Sequence, residues 1–195
     1  MSSQVSVVAR QVVDGRRAET LERLLSAGAE ELRSAGHEAL TIRTVAARAG
    51  VSPATAYTYV ASKNHLFAEL FVRHLDGDPL CPAATDPARS PLDRLRAATR
   101  QMAESLAADP ALAAAVTPAL LSSDPDVERL RLRIGAEFLA RFEAALAAEV
   151  DDTVLDALVL AFSGALLQAG MHLITYTDLA DRLDGVVAVI LEGHL

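Results

Sequence analysis

The sequence predicts an all-α protein of about nine helices. Apolar residues make up 51% of its 195 residues and only 4% are aromatic, which is typical of globular helices packed through Ala, Leu and Val. These residues recur at spacings of three and four, without the alternation that marks a strand. A serine or aspartate followed by proline recurs along the chain, and this pair indicates helix starts.

Glycines end the first two predicted helices. The first runs from about Asp14 to Ala35 and ends at Gly36. The second starts at Thr41 and stops at Gly50, which can adopt the left-handed conformation that a tight turn requires. The apolar stripe of the first helix consists of Leu21, Leu24, Leu25 and Leu32.

Serine caps begin the next two predicted helices. The third has Ser52 as its N-cap and Pro53 at its first position, where a missing N–H is harmless. The fourth starts at Ser62. One face of the fourth helix carries Leu66, Phe67, Leu70 and Phe71.

A proline-rich stretch, residues 76–90, separates two predicted domains. It has no periodicity, so we expect a loop there. The first domain then spans residues 1–75, with an N-terminal arm at 1–13, and the second spans residues 76–195.

Five more helices are predicted in the second domain. Three begin at Ser90-Pro91, Asp109-Pro110 and Asp124-Pro125, and the last two span residues 151–175 and 177–193. The inner face of the first of these helices has Leu92, Leu95, Thr99, Met102 and Leu106. The inner face of the third has Val127, Leu130, Ile134, Phe138, Phe142 and Ala145.

Cysteine content and charge restrict the function. Cys81 is the only cysteine, so the chain has no internal disulfide and no cysteine-based zinc site, and a reducing cytoplasm is expected. Residues 1–75 hold nine basic and seven acidic side chains, whereas residues 76–195 hold nine basic and 19 acidic, which gives the net charge of −8. The first domain is therefore the better candidate to approach a polyanion. Gln4 and Arg10 interrupt the N-terminal valines, so no signal peptide is expected.

One segment has the length of a membrane span. Residues 157–177 contain no Asp, Glu, Lys or Arg and are long enough to cross a bilayer. Ser163, Gln168 and His172 interrupt the segment, however, and its flanks are acidic without a basic anchor. We therefore expect a helix buried on nearly all sides rather than a transmembrane helix, and no contact with a membrane.

Residues 41–60 carry a helix-turn-helix pattern. Ala46 is small enough for two helices to cross closely, and Gly50 follows four residues later. The inward-facing residues at this spacing are Val45, Ala49, Val51 and Ala56. The residues left to face outward are Thr55, Tyr57, Thr58 and Tyr59. A helix that enters a DNA major groove needs such polar side chains, although a helical hairpin whose hydroxyls meet only water has the same pattern.

These residues resemble the N-terminal domain of the TetR family of bacterial transcription regulators over about residues 15 to 70. The matching positions are Thr41, Val45-Ala46, Gly50-Val51-Ser52, Tyr57 and Ser62-Lys63. Val60 and Ala56 depart from the family, which usually has Phe and often Leu there, and we expect Tyr59 to refill the lost volume. The resemblance implies a three-helix helix-turn-helix DNA-binding domain, followed by a helical ligand-binding and dimerisation domain.

The resemblance also implies roles for single residues. Tyr57 and Lys63 match the family's phosphate-contacting tyrosine and lysine. Arg43 lies where members often place a base reader, and arginine can bind guanine O6 and N7 together. Thr41 and Ser52 cap helices whose free N–H groups can bind phosphate. The expected DNA-binding residues are Thr41, Arg43, Thr44, Ser52, Pro53, Ala54, Thr55, Tyr57, Thr58, Tyr59 and Lys63.

For the second domain, the resemblance implies a homodimer joined through the last two helices and a small-molecule effector that weakens DNA binding. The operator is then a palindromic inverted repeat in double-stranded DNA, and repression is the usual mode, with activation left open. One face of the predicted helix at 151–175, which we call the small face because it carries small side chains, consists of residues 161, 164, 165, 168 and 172. It lines either the pocket or the dimer interface. The expected effector contacts are Thr99, Met102, Leu106, Phe138, Phe142, Phe162, Gln168 and His172, of which the apolar ones are equally compatible with an ordinary core.

Other classes of function fit less well. The sequence has no nucleophile elbow, no glycine-rich phosphate loop and no metal-spaced His/Cys set, so we expect no catalysis, no metal and no cofactor. A helical adaptor that binds only proteins would leave Lys63 and Tyr57 without a role. Arg10, Arg16 and Arg17 form either an arm over the DNA backbone or a disordered basic tail.

Overall fold

The computed structural model describes residues 2–147 and 152–192, and these residues form ten α-helices and no β-strand. The all-α prediction is therefore confirmed. In chain order the helices are α1 (Ser2–Ala39), α2 (Ile42–Ala49), α3 (Pro53–Tyr59), α4 (Lys63–Asp76), α5 (Pro82–Thr85), α6 (Pro91–Ala108), α7 (Pro110–Leu121), α8 (Pro125–Leu146), α9 (Asp152–Gly170) and α10 (Tyr176–Leu191).

The predicted helix starts depend on side-chain caps, and the structure contains those caps. Thr41 and Thr44 form a reciprocal capping box at the start of α2. A backbone N–H of the first turn also donates to the side chain of the cap at Ser52, Ser62, Ser90, Asp109 and Asp124. Such caps satisfy N–H groups that a helix cannot bond itself, and each contributes about 1 kcal/mol.

Three boundaries differ from the prediction. α1 begins at Ser2 rather than near Asp14, so the described part of the predicted arm continues this helix. The other end of this helix agrees with the prediction, because Gly36 has φ 78° and breaks α1 there. A single turn, α5, forms in the predicted loop. α9 stops at Gly170 rather than at residue 175, because the chain turns there and His172 adopts φ 60°.

Small side chains let α1 to α4 cross closely. Ala46 of α2 and Ala56 of α3 are fully buried, and Gly50 between the two helices has φ 67°. Val60 is buried in the same core, and Tyr59 is half-buried against it. The predicted replacement of lost core volume by Tyr59 agrees with this packing.

α4 joins the N-terminal helices to the rest of the molecule. It packs against α1 on one side and against α7 and α8 on the other. At its end, Arg141 of α8 donates from Nη2 to the Leu75 carbonyl oxygen at 2.7 Å, while its Nε bonds Glu137 at 3.0 Å. The core residues of α4 are Leu66, Phe67, Ala68, Leu70, Phe71, Val72 and Leu75.

Aromatic rings meet where α4, α8 and α9 pack together. Phe138 and Phe142 of α8 both meet Phe162 of α9 edge to face, with ring centroids 5.1 and 5.8 Å apart. Phe71 of α4 meets Phe138 in the same way at 6.3 Å. Pairs of this kind contribute about 0.5–1.5 kcal/mol beyond the area they bury. α10 closes the domain against α6, where Arg100 bonds Asp184 at 2.6 Å.

The apolar helix α9 is less buried than predicted. By length and composition alone it could cross a membrane, but one of its faces packs against α7, α8 and α10. Its buried residues are Val154, Leu158, Phe162 and Ala169. Leu160 is 73% exposed, so burial on nearly all sides is wrong for the single chain, because packing neighbours cover only one side of the helix.

Gly170 ends α9 where that helix touches α7. A Cβ built on Gly170 would lie 2.5 Å from the Cβ of Thr117. Because neither backbone can move freely, we expect Gly170→Ala to lower the free energy of unfolding by about 1–3 kcal/mol. Thermal unfolding measures the effect, since each kcal/mol shifts Tm by about 2–4 °C in a chain of this size.

Gly135→Ala is the matched control for this prediction. Gly135 lies inside α8, and a Cβ there meets no atom within 4 Å. The control should therefore leave Tm unchanged, or raise stability by up to about 1 kcal/mol through helix propensity. Equal Tm values for the two variants would contradict the close approach of α9 to α7.

Candidate nucleic-acid interface and ligand cavity

The helix-turn-helix is held in place by polar contacts to α1. The N–H of Gly50 donates to the Ala47 carbonyl at 3.2 Å and closes α2. Arg23 of α1 donates to the Ala49 carbonyl at 2.5 Å, and Arg48 of α2 pairs with Glu31 at 2.7 Å. These bonds fix the turn, and hence the direction of α3, relative to the domain core.

Most of the predicted DNA-binding residues lie at the surface of α2 and α3. The exposed ones are Thr41, Arg43, Thr44, Ser52, Pro53, Ala54, Tyr57 and Thr58. Thr55 is half-buried, and its Oγ1 lies 2.8 Å from Ser52 Oγ. Thr58 donates to the Thr55 carbonyl at 2.7 Å. Tyr59 differs from the others, because its ring packs on the core and has less surface to offer a partner.

Lys63 lies at the first position of α4 and is held there. Its Nζ donates to the Glu38 carbonyl at 3.0 Å and sits 5.8 Å from the centroid of the Phe67 ring. An ammonium group has three donors, so this bond leaves capacity for a phosphate oxygen. The hydrogen bond ties the lysine to the last residues of α1.

The arginines near α3 differ in their partners. Arg48 is paired with Glu30 and Glu31, which raise the pKa of its guanidinium. Arg43 is exposed and, among the described residues, no carboxylate lies within ion-pair distance of it. Arg43 therefore presents an unpaired charge on the face that also carries Thr44.

One contact between α4 and α8 was not predicted from the sequence. Ser62, the N-cap of α4, donates from Oγ to Oδ2 of Asp124, the N-cap of α8. This hydrogen bond, together with the backbone N–H of Asp126, holds the pKa of the Asp124 carboxyl below its usual range. The sequence identified each residue only as a cap, and nothing local to either indicates that they meet.

A cavity of 520 Å³ lies between α4, α6, α7, α8, α9 and the start of α10. Among the predicted effector contacts, Leu106 and Phe138 line it. Met102, Phe142 and Phe162 are buried behind this wall as core. The cavity is also lined by Phe71, by Gly164 of the face expected to line either the pocket or the dimer interface, and by Leu120, Arg131 and Tyr176, which the sequence did not single out.

The three predicted polar contacts lie away from the cavity. Thr99 is buried, and its hydroxyl donates to the Leu95 carbonyl of its own helix at 3.1 Å. Gln168 is exposed on the outer side of α9. His172 is exposed in the turn after α9, so it does not share the helix face expected of it, because the helix has already ended.

The small face of α9 belongs to a second hollow as well. Ala161, Gly164, Ala165 and Gln168 line a surface groove of 500 Å³ with Arg182 and other residues of α10. Gly164 and Leu160 line both this groove and the cavity. The groove continues into an apolar surface that includes Val186 and Val189 of α10, the latter 70% exposed.

Comparison with known proteins gives consistent results. Residues 24–70 match the sequence profile of the bacterial regulatory proteins of the tetR family. An HTH-type transcriptional regulator of Mycobacterium tuberculosis is 43% identical over 180 residues, which cover 91% of this chain and 83% of that protein. The HTH-type transcriptional repressor KstR of Rhodococcus jostii is 32% identical over 106 residues, or 54% of this chain and 50% of the repressor.

The fold is shared with solved structures. A TetR transcriptional regulator from Rhodococcus sp. RHA1 superposes with a TM-score of 0.77 at 23% identity, over 90% of this chain and 97% of that one. The relatives are transcriptional regulators and not enzymes. With the helix-turn-helix at the N-terminus and a relative that matches along most of its length, the chain belongs to the TetR family of bacterial transcriptional regulators.

Proposed function

We propose that this regulator is a repressor that binds an inverted-repeat operator as a homodimer and is released by a small, largely apolar effector. One observation carries the proposal. Phe71 of α4 lines the cavity, and the same helix begins at Lys63, next to the end of α3. A molecule in the cavity therefore touches the helix that carries a predicted phosphate contact. Repression is also the role of KstR, the Rhodococcus jostii relative.

DNA recognition is assigned to α3 and the flanking residues. The exposed polar side chains at Ser52, Tyr57 and Thr58 suit a helix in the major groove. Two copies of α3, one from each protomer, should enter successive major grooves about 34–36 Å apart or a little more. An operator with two-fold symmetry follows from the two-fold symmetry of the dimer.

Dimerisation is assigned to the exposed apolar surface of α9 and α10. Leu160 and Val189 are 73% and 70% exposed, and the small residues Ala161, Gly164 and Ala165 would let a second helix approach closely. An apolar surface of this kind on a single chain marks an interaction site. The two copies of α9 and α10 would then form a four-helix bundle.

Coupling between the effector and DNA is assigned to both ends of α4. An effector releases DNA only if it binds the two protein conformations with different affinity. Phe71 at the cavity and Ser62, which is bonded to Asp124 at the start of α8, are the contacts that could transmit this difference. A coupling of about 1–3 kcal/mol corresponds to a 5- to 150-fold change in DNA affinity.

The first prediction concerns phosphate contacts. Lys63→Ala should weaken binding to specific and nonspecific DNA alike, and should reduce the slope of log affinity against log salt by about one. Tyr57→Phe should weaken both by a smaller factor, because it removes one hydrogen-bond donor without charge. Fluorescence anisotropy with labelled duplexes at several salt concentrations measures both quantities.

Arg43→Ala is the contrasting variant for this experiment. Because Arg43 is unpaired and exposed, we assign it to a base edge, and its loss should relax preference at one base pair by about 1–3 kcal/mol. The preference is measured with operators substituted at each position. A uniform loss over all operators would reassign Arg43 to the phosphate backbone.

The second prediction concerns the dimer interface. Val189→Glu places a charge on the proposed interface and should convert the dimer to monomers, with loss of operator binding. Leu132→Glu is the matched control, since Leu132 is similarly exposed at 73% but lies on α8, outside the proposed interface. Sizing chromatography with light scattering gives the mass of each variant. A dimeric Val189→Glu protein would exclude this surface as the interface.

The third prediction concerns the link between the domains. Asp124→Asn keeps an oxygen to cap α8 but replaces the charged acceptor of the Ser62 hydroxyl, so an effector should change DNA affinity by a smaller factor. Asp109→Asn is the control, because Asp109 caps α7 through the Leu112 N–H at 3.1 Å and, within the described residues, has no hydrogen bond to α4. Equal effector responses in the two variants would argue against the role of Asp124.

A further inference from the structure

The cavity has one charged residue in its wall. Of its sixteen lining residues, only Arg131 carries a charge and none is acidic. The remaining polar side chains are the hydroxyls of Thr117, Ser163 and Tyr176, and Tyr176 already donates to the Ala113 carbonyl at 3.1 Å. A cation beside an apolar wall is costly unless its donors are bonded, so the partners of Arg131 decide what the cavity can bind.

Arg131 uses only part of its hydrogen-bonding capacity. Nη1 donates to the carbonyls of Leu120 and Ser122 at 2.9 and 2.7 Å, which satisfies acceptors at the end of α7. Within the described parts of the chain, neither Nε nor Nη2 has a hydrogen-bond partner, and no carboxylate pairs with the guanidinium. An arginine has five N–H donors in a planar fork, so one side of this fork is free.

Among the arginines of α8, Arg131 alone lines the cavity. Arg133, two residues further on, pairs with Asp76 at 2.8 Å. Arg141 bonds Glu137 at 3.0 Å. Each of these two guanidinium groups has an acidic partner supplied by the chain, and each lies outside the cavity wall. Arg131 lines the cavity and, within the described residues, has no acidic partner.

We propose that Arg131 makes the cavity selective for effectors that combine an apolar body with a carboxylate. The inference rests on the proposed function, because it takes the cavity as the effector site. A carboxylate matches the guanidinium fork with two parallel hydrogen bonds, while the body of the molecule packs against side chains such as Phe71 and Phe138. The volume of 520 Å³ is that of an ordinary small-molecule site.

The position of Arg131 also connects this selectivity to DNA release. The two carbonyls it holds belong to Leu120 and Ser122, and Asp124 follows two residues after Ser122. Asp124 in turn accepts the hydrogen bond from Ser62 at the start of α4. A carboxylate on Arg131 therefore binds at the turn that contacts the DNA-binding domain.

The first experiment uses the unaltered protein and ligands that differ only in their polar group. The neutral fluorescent dye N-phenyl-1-naphthylamine reports occupation of the cavity, and decanoate, decan-1-ol and decylamine compete with it. The concentration of decanoate that displaces the dye should be at least about 10-fold lower than that of decan-1-ol. Decylamine should be the weakest competitor. If decan-1-ol or decylamine competes as well as decanoate, the cavity does not select a carboxylate and the inference is wrong.

The second experiment tests the residue. Arg131→Leu should lower the affinity for decanoate by about 10- to 100-fold and should change the affinity for decan-1-ol by less than about threefold. Arg131→Lys keeps the charge without the fork and should restore part of the selectivity. Arg129→Leu, an exposed position on the same helix outside the cavity wall, is the control and should leave both affinities unchanged.

The ratio of the two affinities separates recognition from a structural role. If Arg131 acted only through its contacts to the α7 carbonyls, its loss would lower the affinities for decanoate and decan-1-ol equally. An unchanged ratio of these two affinities in Arg131→Leu would therefore overturn the inference. If the cavity binds the dye and prefers decanoate, but neither molecule changes the affinity for the operator, the inferred carboxylate selectivity is supported. In that case the proposal that an effector in this cavity releases DNA is wrong. If titration calorimetry shows that neither the dye nor decanoate binds, the inference is wrong and the proposed function loses its effector, while operator binding by the dimer is judged by its own tests.

Discussion

The burial of α4 is the constraint on which the rest of the molecule depends. Seven of its fourteen residues are buried, and the elements that bury them belong to both domains, with α1 on one side and α7 and α8 on the other. Large apolar side chains stabilise by about 1.5–3 kcal/mol each when fully buried, so α4 cannot detach from either domain without a large cost. The helix can only shift or tilt within its contacts. The direction of α3 and the shape of the cavity are therefore parts of one packing arrangement.

Local signals were enough to predict most of the helices. A cap followed by proline, as at Ser52 or Asp109, determines a helix start through bonds to the next few residues, and those bonds need no tertiary partner. The end of α9 is different. The apolar run continues beyond Gly170 to Ile174, and the helix stops where it meets Thr117 of α7. That contact joins residues far apart in the chain, so no periodicity could reveal it.

The same distinction separates the two candidate sites. The candidate DNA-binding surface is built from two short adjacent helices, and their pattern at Ala46, Gly50 and Ser52 specifies which neighbouring side chains face outward. The cavity is assembled from six helices, so residues on an inward face, such as Phe162, could equally be core. Arg131 has no distinguishing signal in the sequence, because an arginine on a helix usually lies in solvent. Only the fold shows that it lines an apolar wall and lacks an acidic partner among the described residues.

The hydrogen bond between the start of α4 and the start of α8 is comparable in magnitude to a typical allosteric coupling. A hydrogen bond to a charged group contributes about 1.5–3 kcal/mol, and a typical allosteric coupling is about 1–3 kcal/mol. If the bond from Ser62 to Asp124 is present in one conformation and absent in the other, it would contribute a coupling of that order. The polar contact lies at the start of α4, whereas Phe71 lies in the second half of the helix. The buried core around Phe71 and Phe138 can therefore stay intact while the polar contact is made or lost. A stable core and a small polar contact at the start of the helix are thus compatible in α4, and the proposed effector site beside Arg131 is close to that contact in the chain.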